Sequence, residues 1–206
     1  MWFRPRCAGC EGPGGPVCVM CAPVELEDAP LTLEGVDHTW FVQPYQSPLG
    51  SVIRQVKYRP SRRLGVALSR RLANAARFHL DPHEIDAVVP VPSTAWTRVK
   101  RGFALAALLA HHIGRAIDRP ALNVLKTTGG ARQAGLDRRQ RANNLRGRVT
   151  ARLAVPRRVL LVDDVITTGA TATTCANTLL QEGGARVWVL AACLAEENLQ
   201  TAVQNA

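Results

Sequence analysis

The chain predicts an α/β fold, a parallel sheet flanked by helices, with a small metal-binding module at its N-terminal end. Three observations carry this. The unbroken apolar run Val159-Leu160-Leu161-Val162 has the composition of a strand buried on both faces of a parallel sheet. A helical segment, Ala170–Gln181, follows it, closed by Gly183-Gly184, and a second apolar run covers residues 187–193. Strand, helix, strand at this spacing is the unit from which parallel sheets are built. Finally, four of the six cysteines fall within the first 21 residues.

Those four form two pairs, Cys7-x2-Cys10 and Cys18-x2-Cys21, set among Gly9, Gly12, Pro13, Gly14, Gly15 and Pro16. Two such knuckles can place four thiolates around one ion, and the glycines let backbone amides turn toward the sulfurs. The start of the chain lacks the apolar core of a secretory signal, so an intracellular, cytoplasmic protein is expected and disulfides are not. The pattern reads as structural Zn2+ on Cys7, Cys10, Cys18 and Cys21, with an iron site or a redox pair as the other readings. Four thiolates leave no open coordination position, so no catalysis is assigned there. Residues 22–38, acidic and Pro-containing, read as a linker. The expected division is residues 1–38 as knuckle and linker and residues 39–206 as the α/β domain.

Within that domain, Trp40-Phe41-Val42 reads as a short strand and residues 49–56 as a helix. Leu64, Leu68, Leu72 and Ala75 mark one face of a helix over residues 64–78. Residues 86–92 read as a buried strand stopped by proline, residues 103–117 as an Ala/Leu-rich helix, and Val124-Leu125 as another short strand. Residues 138–145 form an Arg-studded helix or loop. Cys175 and Cys193 sit in apolar contexts and read as packing residues. Hydrophobic residues make up 47% of the chain, enough for a core and too many for a disordered segment. No apolar run approaches the ~20 residues of a membrane span.

Charge is unevenly spread. Residues 1–53 carry 2 basic and 6 acidic residues, residues 54–158 carry 23 and 5, and residues 159–206 carry 1 and 5. A +18 centre therefore lies between two −4 ends, and 23 of the 26 basic residues are arginine. Codon bias can explain Arg over Lys, but not why Arg avoids both ends. A planar guanidinium suits phosphate oxygens, so an anionic ligand, nucleotide-like or nucleic acid, is expected.

The densest chemistry is Val159-Leu160-Leu161-Val162-Asp163-Asp164-Val165-Ile166-Thr167-Thr168-Gly169-Ala170-Thr171. A buried strand is expected to end in two carboxylates, with a Thr-Thr-Gly turn opening a helix. At the carboxyl end of a parallel strand this puts ligand groups in the crevice where α/β folds bind substrates. The turn's amides, the Thr hydroxyls and the helix dipole suit a terminal phosphate, and Gly169 lets the backbone approach it. The carboxylates suit vicinal hydroxyls, or a divalent cation through water. Phosphate and diol together describe a ribose 5-phosphate.

This run resembles the phosphoribosyltransferase signature of four apolar residues, two acids, an apolar pair and Thr-Thr-Gly. With the cysteine knuckle, Val56-Lys57-Tyr58, Val89-Pro90-Val91-Pro92, Lys100-Arg101-Gly102-Phe103, Gln133-Ala134-Gly135-Leu136, and Arg141 with Asn144-Leu145-Arg146-Gly147, the chain resembles the ComF family of competence-associated, phosphoribosyltransferase-like proteins. One departure stands out: family members usually continue Arg-Gly-Phe with Asn-Gln, where this chain has Ala104-Leu105.

The resemblance implies a type I phosphoribosyltransferase-like parallel sheet flanked by helices, and binding of 5-phosphoribosyl 1-diphosphate (PRPP) with Mg2+. Thr167, Thr168, Gly169, Ala170 and Thr171 would hold the 5-phosphate, and Asp163 and Asp164 the ribose hydroxyls and the hydrated Mg2+. Pro92, Ser93 and Thr94 would face the diphosphate, with Arg98, Lys100 and Arg101 covering it as leaving group. It also implies a part in DNA uptake alongside other DNA-uptake proteins. Arg62, Arg63, Arg138, Arg139, Arg141, Arg146 and Arg148 are the nucleic-acid candidates, because the stretches 54–71 and 132–158 hold sixteen basic residues and one acid. The second stretch has no aromatic residue, which favours contacts to the backbone of single-stranded DNA over base stacking. Tyr58, between Lys57 and Arg59, is the one aromatic interleaved with charge. A non-enzymatic ligand sensor or adaptor that binds single-stranded DNA is the alternative function.

Overall fold

The computed structural model describes residues 6–93, 102–127 and 149–199. Four strands run parallel: β2 (His38–Pro44), β3 (Ala87–Pro90), β6 (Arg158–Ile166) and β7 (Arg186–Leu194). A two-residue strand, β1 (Glu27–Asp28), adds antiparallel to β2, giving the order β1-β2-β7-β6-β3. The strands β4 (Leu125–Thr127) and β5 (Val149–Ala151) form a separate antiparallel pair. The stretch 138–145 lies outside the described residues.

Helices cover both faces, and the strand pleat decides which residues meet them. On one face pack α1 (Pro48–Tyr58), α2 (Arg62–His79) and α3 (Leu105–Ala116), against Leu160, Val162, Trp188 and Leu190. On the other lies α4 (Ala170–Gln181), against Val159, Leu161, Val187 and Val189. All of β3 and all but the first residue of β7 are buried, which is why they read as continuous apolar runs. α1 and α2 start where Ser47 and Ser61 accept amide hydrogen bonds from Gly50 and Leu64. Cys175 and Cys193 are fully buried, as expected.

Two local readings change. The strand expected to end in the two carboxylates continues to Ile166, because Asp163 pairs with Ala191, Val165 with Cys193 and Ile166 with Leu194 of β7. Both carboxylates are therefore strand residues. The acidic segment 22–38 is also no loose tether: Ala22 and Leu33 are buried, in the cores on opposite faces of the sheet. The signal was present in Leu31 and Leu33, but apolar residues spaced by two in a short Pro-containing stretch do not by themselves say what they cover.

The cysteine module sits on α1 and α2. Val17 joins the core with Leu49 and Leu72, Arg71 Nε donates to the Val17 carbonyl at 3.1 Å, and Gln55 Nε2 to the Ala8 carbonyl at 2.5 Å. Among the described residues no helix is long and apolar enough to cross a membrane.

Candidate functional site

The loop after β6 is shaped by one glycine. Gly169 has φ +74°, the left-handed region, and starts α4 without a side-chain cap. A Cβ there would lie 2.2 Å from Leu33 Cδ2. Gly169 is thus required by its backbone angle and by the close approach of Leu33, whatever ligand it meets. Thr167 and Thr168 are exposed, Thr168 Oγ1 accepts from the Ala170 amide at 3.4 Å, and the Thr167 carbonyl accepts from Asn198 Nδ2. The first N–H groups of a helix have no partner within it, so α4 opens on a small cavity lined by donors. Asp163, Thr167, Gly169, Ala170 and Thr171 line that cavity with Val165, Ile166 and Ala172.

The two adjacent acids do not act as a side-by-side pair. Leu161 faces α4 and Val162 faces α1–α3, so the pleat sends Asp163 toward α4 and Asp164 toward α1. Their neighbours agree. After burial, the Asp163 charge helps raise the Cys175 thiol on α4, and after burial the Asp164 charge helps push Cys193 up to about 12. Asp163 Oδ1 accepts the Asp164 amide at 2.7 Å. Burial first, then the Asp164 charge, pushes the Asp163 carboxyl up to about 7, against the pull of that amide and of Lys57.

Lys57 is the residue that sequence reading left out of the site. It lies in the last turn of α1, and its Nζ donates to Asp164 Oδ1 at 2.6 Å across 107 residues, with the two side chains 20% and 14% exposed. The available signal was that Lys57 is one of three lysines in a chain with 23 arginines. Tyr58, next to it, is 80% exposed.

A second cleft, of ≈ 530 Å³, opens beyond the carboxyl end of β3. Pro92, Ser93, Ala104, Lys126, Thr127 and Arg152 line it. Ser93 Oγ is buried and has no hydrogen-bond partner among the described residues, and the same holds for Gln43 Oε1 and Thr150 Oγ1. Ala104 starts α3 without a side-chain cap, and Leu105 is 2% exposed in the core. The departure from Asn-Gln therefore exchanges polar groups for an uncapped helix start and a packed side chain. Thr94, Arg98, Lys100 and Arg101 lie outside the described residues, as do Arg138, Arg139, Arg141, Arg146 and Arg148. Arg62 and Arg63 are exposed on α2.

At the other end of the chain, the sulfurs of Cys7, Cys10, Cys18 and Cys21 lie within 4.8 Å of one another and could hold a metal ion. Cys10 and Cys18 Sγ are 3.7 Å apart, too far for a disulfide and close to the ~3.8 Å edge of a tetrahedron with ~2.3 Å Zn–S bonds. Burial raises the Cys7 thiol, but amides of Cys18, Cys10 and Gly9 outweigh it and draw it down to about 6. Cys7 Sγ accepts the Cys18 and Gly9 amides at 3.3 and 3.4 Å. The donor set thus fits a thiolate-bound metal such as zinc.

No family model matches the chain. Curated proteins do. Competence protein F of Haemophilus influenzae is 34% identical over 158 residues, covering 71% of this chain and 69% of that protein. DNA utilization protein YhgH of Escherichia coli K12 is 34% identical over 160 residues, covering 74% and 70%, and YhgH of Salmonella typhimurium is 32% identical at the same coverage. Among solved structures, a purine phosphoribosyltransferase from Pyrococcus horikoshii aligns at 14% identity and TM-score 0.41, covering 62% of this chain and 73% of that one. A Thermus thermophilus protein aligns at 20% identity and TM-score 0.40, covering 67% and 79%. Structural overlaps this loose carry no argument about activity. The sequence relatives do settle kinship: this chain belongs to the family of competence protein F and DNA utilization protein YhgH, the ComF family.

Proposed function

We propose that this protein binds PRPP at the carboxyl ends of β6 and β3 and serves DNA uptake. The observation that carries the ligand reading is the donor-lined cavity at the start of α4, with Asp163 on its wall. In this reading Thr167–Thr171 hold the 5-phosphate through backbone amides and hydroxyls, and Asp163 faces the ribose hydroxyls. Asp164, held by Lys57, completes the acidic edge from the other face of the sheet. Ser93, with Pro92 and Thr94, meets the diphosphate, and Arg98, Lys100 and Arg101 cover it. Asp163, on the cavity wall, offers a hard oxygen to Mg2+ through the waters that ion keeps, and the ion would neutralise diphosphate charge when bound. Residues 1–38, knuckle and linker, hold structural Zn2+ on the four cysteines, and residues 39–206 form the binding domain.

Support for DNA uptake comes from the names of the relatives, competence protein F and DNA utilization protein. The arginine-rich centre of the chain suits the backbone of single-stranded DNA. The second reading, a sensor or adaptor that binds PRPP and DNA without turnover, is favoured by Ala104-Leu105, which supply no polar group to the cleft.

Titration calorimetry with PRPP and Mg2+ tests the site. The double variant Asp163→Asn/Asp164→Asn should lose binding, and unchanged affinity would sink the assignment. Incubation with PRPP, Mg2+ and a panel of nucleobases separates the two functions. Diphosphate release with one base marks an enzyme, and binding without release marks the sensor.

A further inference from the structure

The seven basic residues of the stretch 54–71 part company in the folded chain. Lys57 turns to Asp164, Arg54 to the Tyr45 carbonyl and Ser51, and Arg71 to the Val17 carbonyl. Arg62, Arg63 and Arg70 remain exposed, and with Arg71 they line a groove of ≈ 650 Å³ between α2 and the cysteine module. Val66 and Ala67 lie along its floor, Asn74 closes one end, and Gly14, Pro16 and Val17 form the opposite wall. These α2 positions recur at spacings of three and four, so they share one helical face. No acidic residue occurs between positions 54 and 80, and among the described residues no carboxylate lines the groove.

We infer that this groove is a track for the phosphate backbone of single-stranded nucleic acid, running along α2 under the wall of the cysteine module. The inference rests on the DNA reading above and says where the strand lies. Arg62 and Arg63 sit eight residues from Arg70 and Arg71, ~12 Å along a helix that rises 1.5 Å per residue. At ~3.4 Å per stacked nucleotide this spans three to four nucleotides, so each arginine pair meets its own phosphate. Guanidinium forks suit phosphate oxygens better than a point charge does. Among the described residues no aromatic side chain lines the groove, so bases face outward and sequence preference is weak. The positive field reaches α3: after burial and His111, the charges of Arg70, Arg115 and Arg62 hold the His112 imidazole below its ordinary range. Of the residues proposed for DNA from sequence alone, Arg62 and Arg63 lie here, and the others fall outside the described residues. Arg70, Arg71 and the module wall are supplied by the fold.

The test is the affinity of the full-length protein for fluorescent oligodeoxythymidylate over a salt series. The variant Arg62→Gln/Arg63→Gln/Arg70→Gln should weaken binding at least ~10-fold at ~0.1 M salt and flatten the log–log salt slope by about 1.4, near 0.7 for each of two lost phosphate contacts. Val66→Glu, which adds one carboxylate to the floor, should weaken binding with the arginines intact. Arg186→Gln, at an exposed arginine outside the groove and outside both arginine-rich stretches, should leave both quantities unchanged. If the wild type binds with a steep salt slope and the groove variants match it, the groove assignment is overturned while the DNA reading stands. A wild type with no affinity even at low salt overturns the DNA reading and this inference with it.

Discussion

The cysteine module and the loop after β6 are both built around glycines and ligand-type side chains, yet they owe their shapes to different things. In the module, four sulfurs brought together from positions 7–21 hold the arrangement, and the amides that polarise Cys7 come from Gly9, Cys10 and Cys18. In the loop, Gly169 is positioned by Leu33 and Asp164 by Lys57, both from segments more than a hundred residues earlier. The difference teaches that a site made of near neighbours can be read from spacing, whereas one made by packing shows only its most distinctive strand.

The largest effect should come from the local site. Chelation, or Cys18→Ser, should remove the proposed metal, whose binding free energy is on the order of 10 kcal/mol in small thiolate modules. It should also release Val17 and Ala22 from the core with α1 and α2. Thermal melting alongside metal analysis should show a bound ion in the native protein and a large fall in melting temperature after its removal. An unchanged melt would mean that the module, like the loop, is held by packing.

Gly169→Ala probes the distant packing. It combines a left-handed angle, which costs ~1–2 kcal/mol for a residue with a Cβ, with overpacking against Leu33 at ~1–3 kcal/mol. Gly102 has the same φ of +74°, and a methyl group placed there would meet nothing within 4 Å among the described residues, so Gly102→Ala should show the first cost alone. Urea denaturation that gives equal losses for the two would rule out a part for Leu33.

Charge offers a third contrast. Asp163 has its folded pKa raised to about 7 from an ordinary value near 4. Its contribution to stability is therefore complete below pH ~4 and is lost as the pH rises through 7, on the order of 4 kcal/mol. Asp163→Asn should flatten that decline in the ligand-free protein, and a pH series of urea midpoints measures it. Lys57→Met should steepen it, because the lysine restrains the upward shift.

The smallest effect is expected at the start of α3. Ala104→Asn should supply the missing cap and raise stability by ~0.5–1 kcal/mol. Calorimetric melting detects this, and no gain would mean that the amides at that end already have partners.

Most of the sheet was legible in the sequence. Strands buried on both faces must be continuously apolar, and β6, β7 and β3 announced themselves that way. α4 appears over the expected residues, Ala170–Gln181, because a glycine stands at each end. The antiparallel β5 was not legible, since Val149–Ala151 is too short to carry a period. Nor was β1, whose two exposed residues owe their conformation to β2 alone.

By itself the sequence determined the chemistry at each place: four thiols at metal spacing, two acids beside a Thr-Thr-Gly turn, and arginine massed in the middle of the chain. The tertiary structure decided which of those groups meet. Extending β6 to Ile166 turned adjacent acids to opposite faces, because strand pairing imposes a period of two whatever the residues. Docking α1 on the sheet gave Asp164 a lysine, and docking the module on α2 turned a charge count into a groove. Spacing along the chain reports neighbours within a few residues, and only the packing of the core brings together residues a hundred apart.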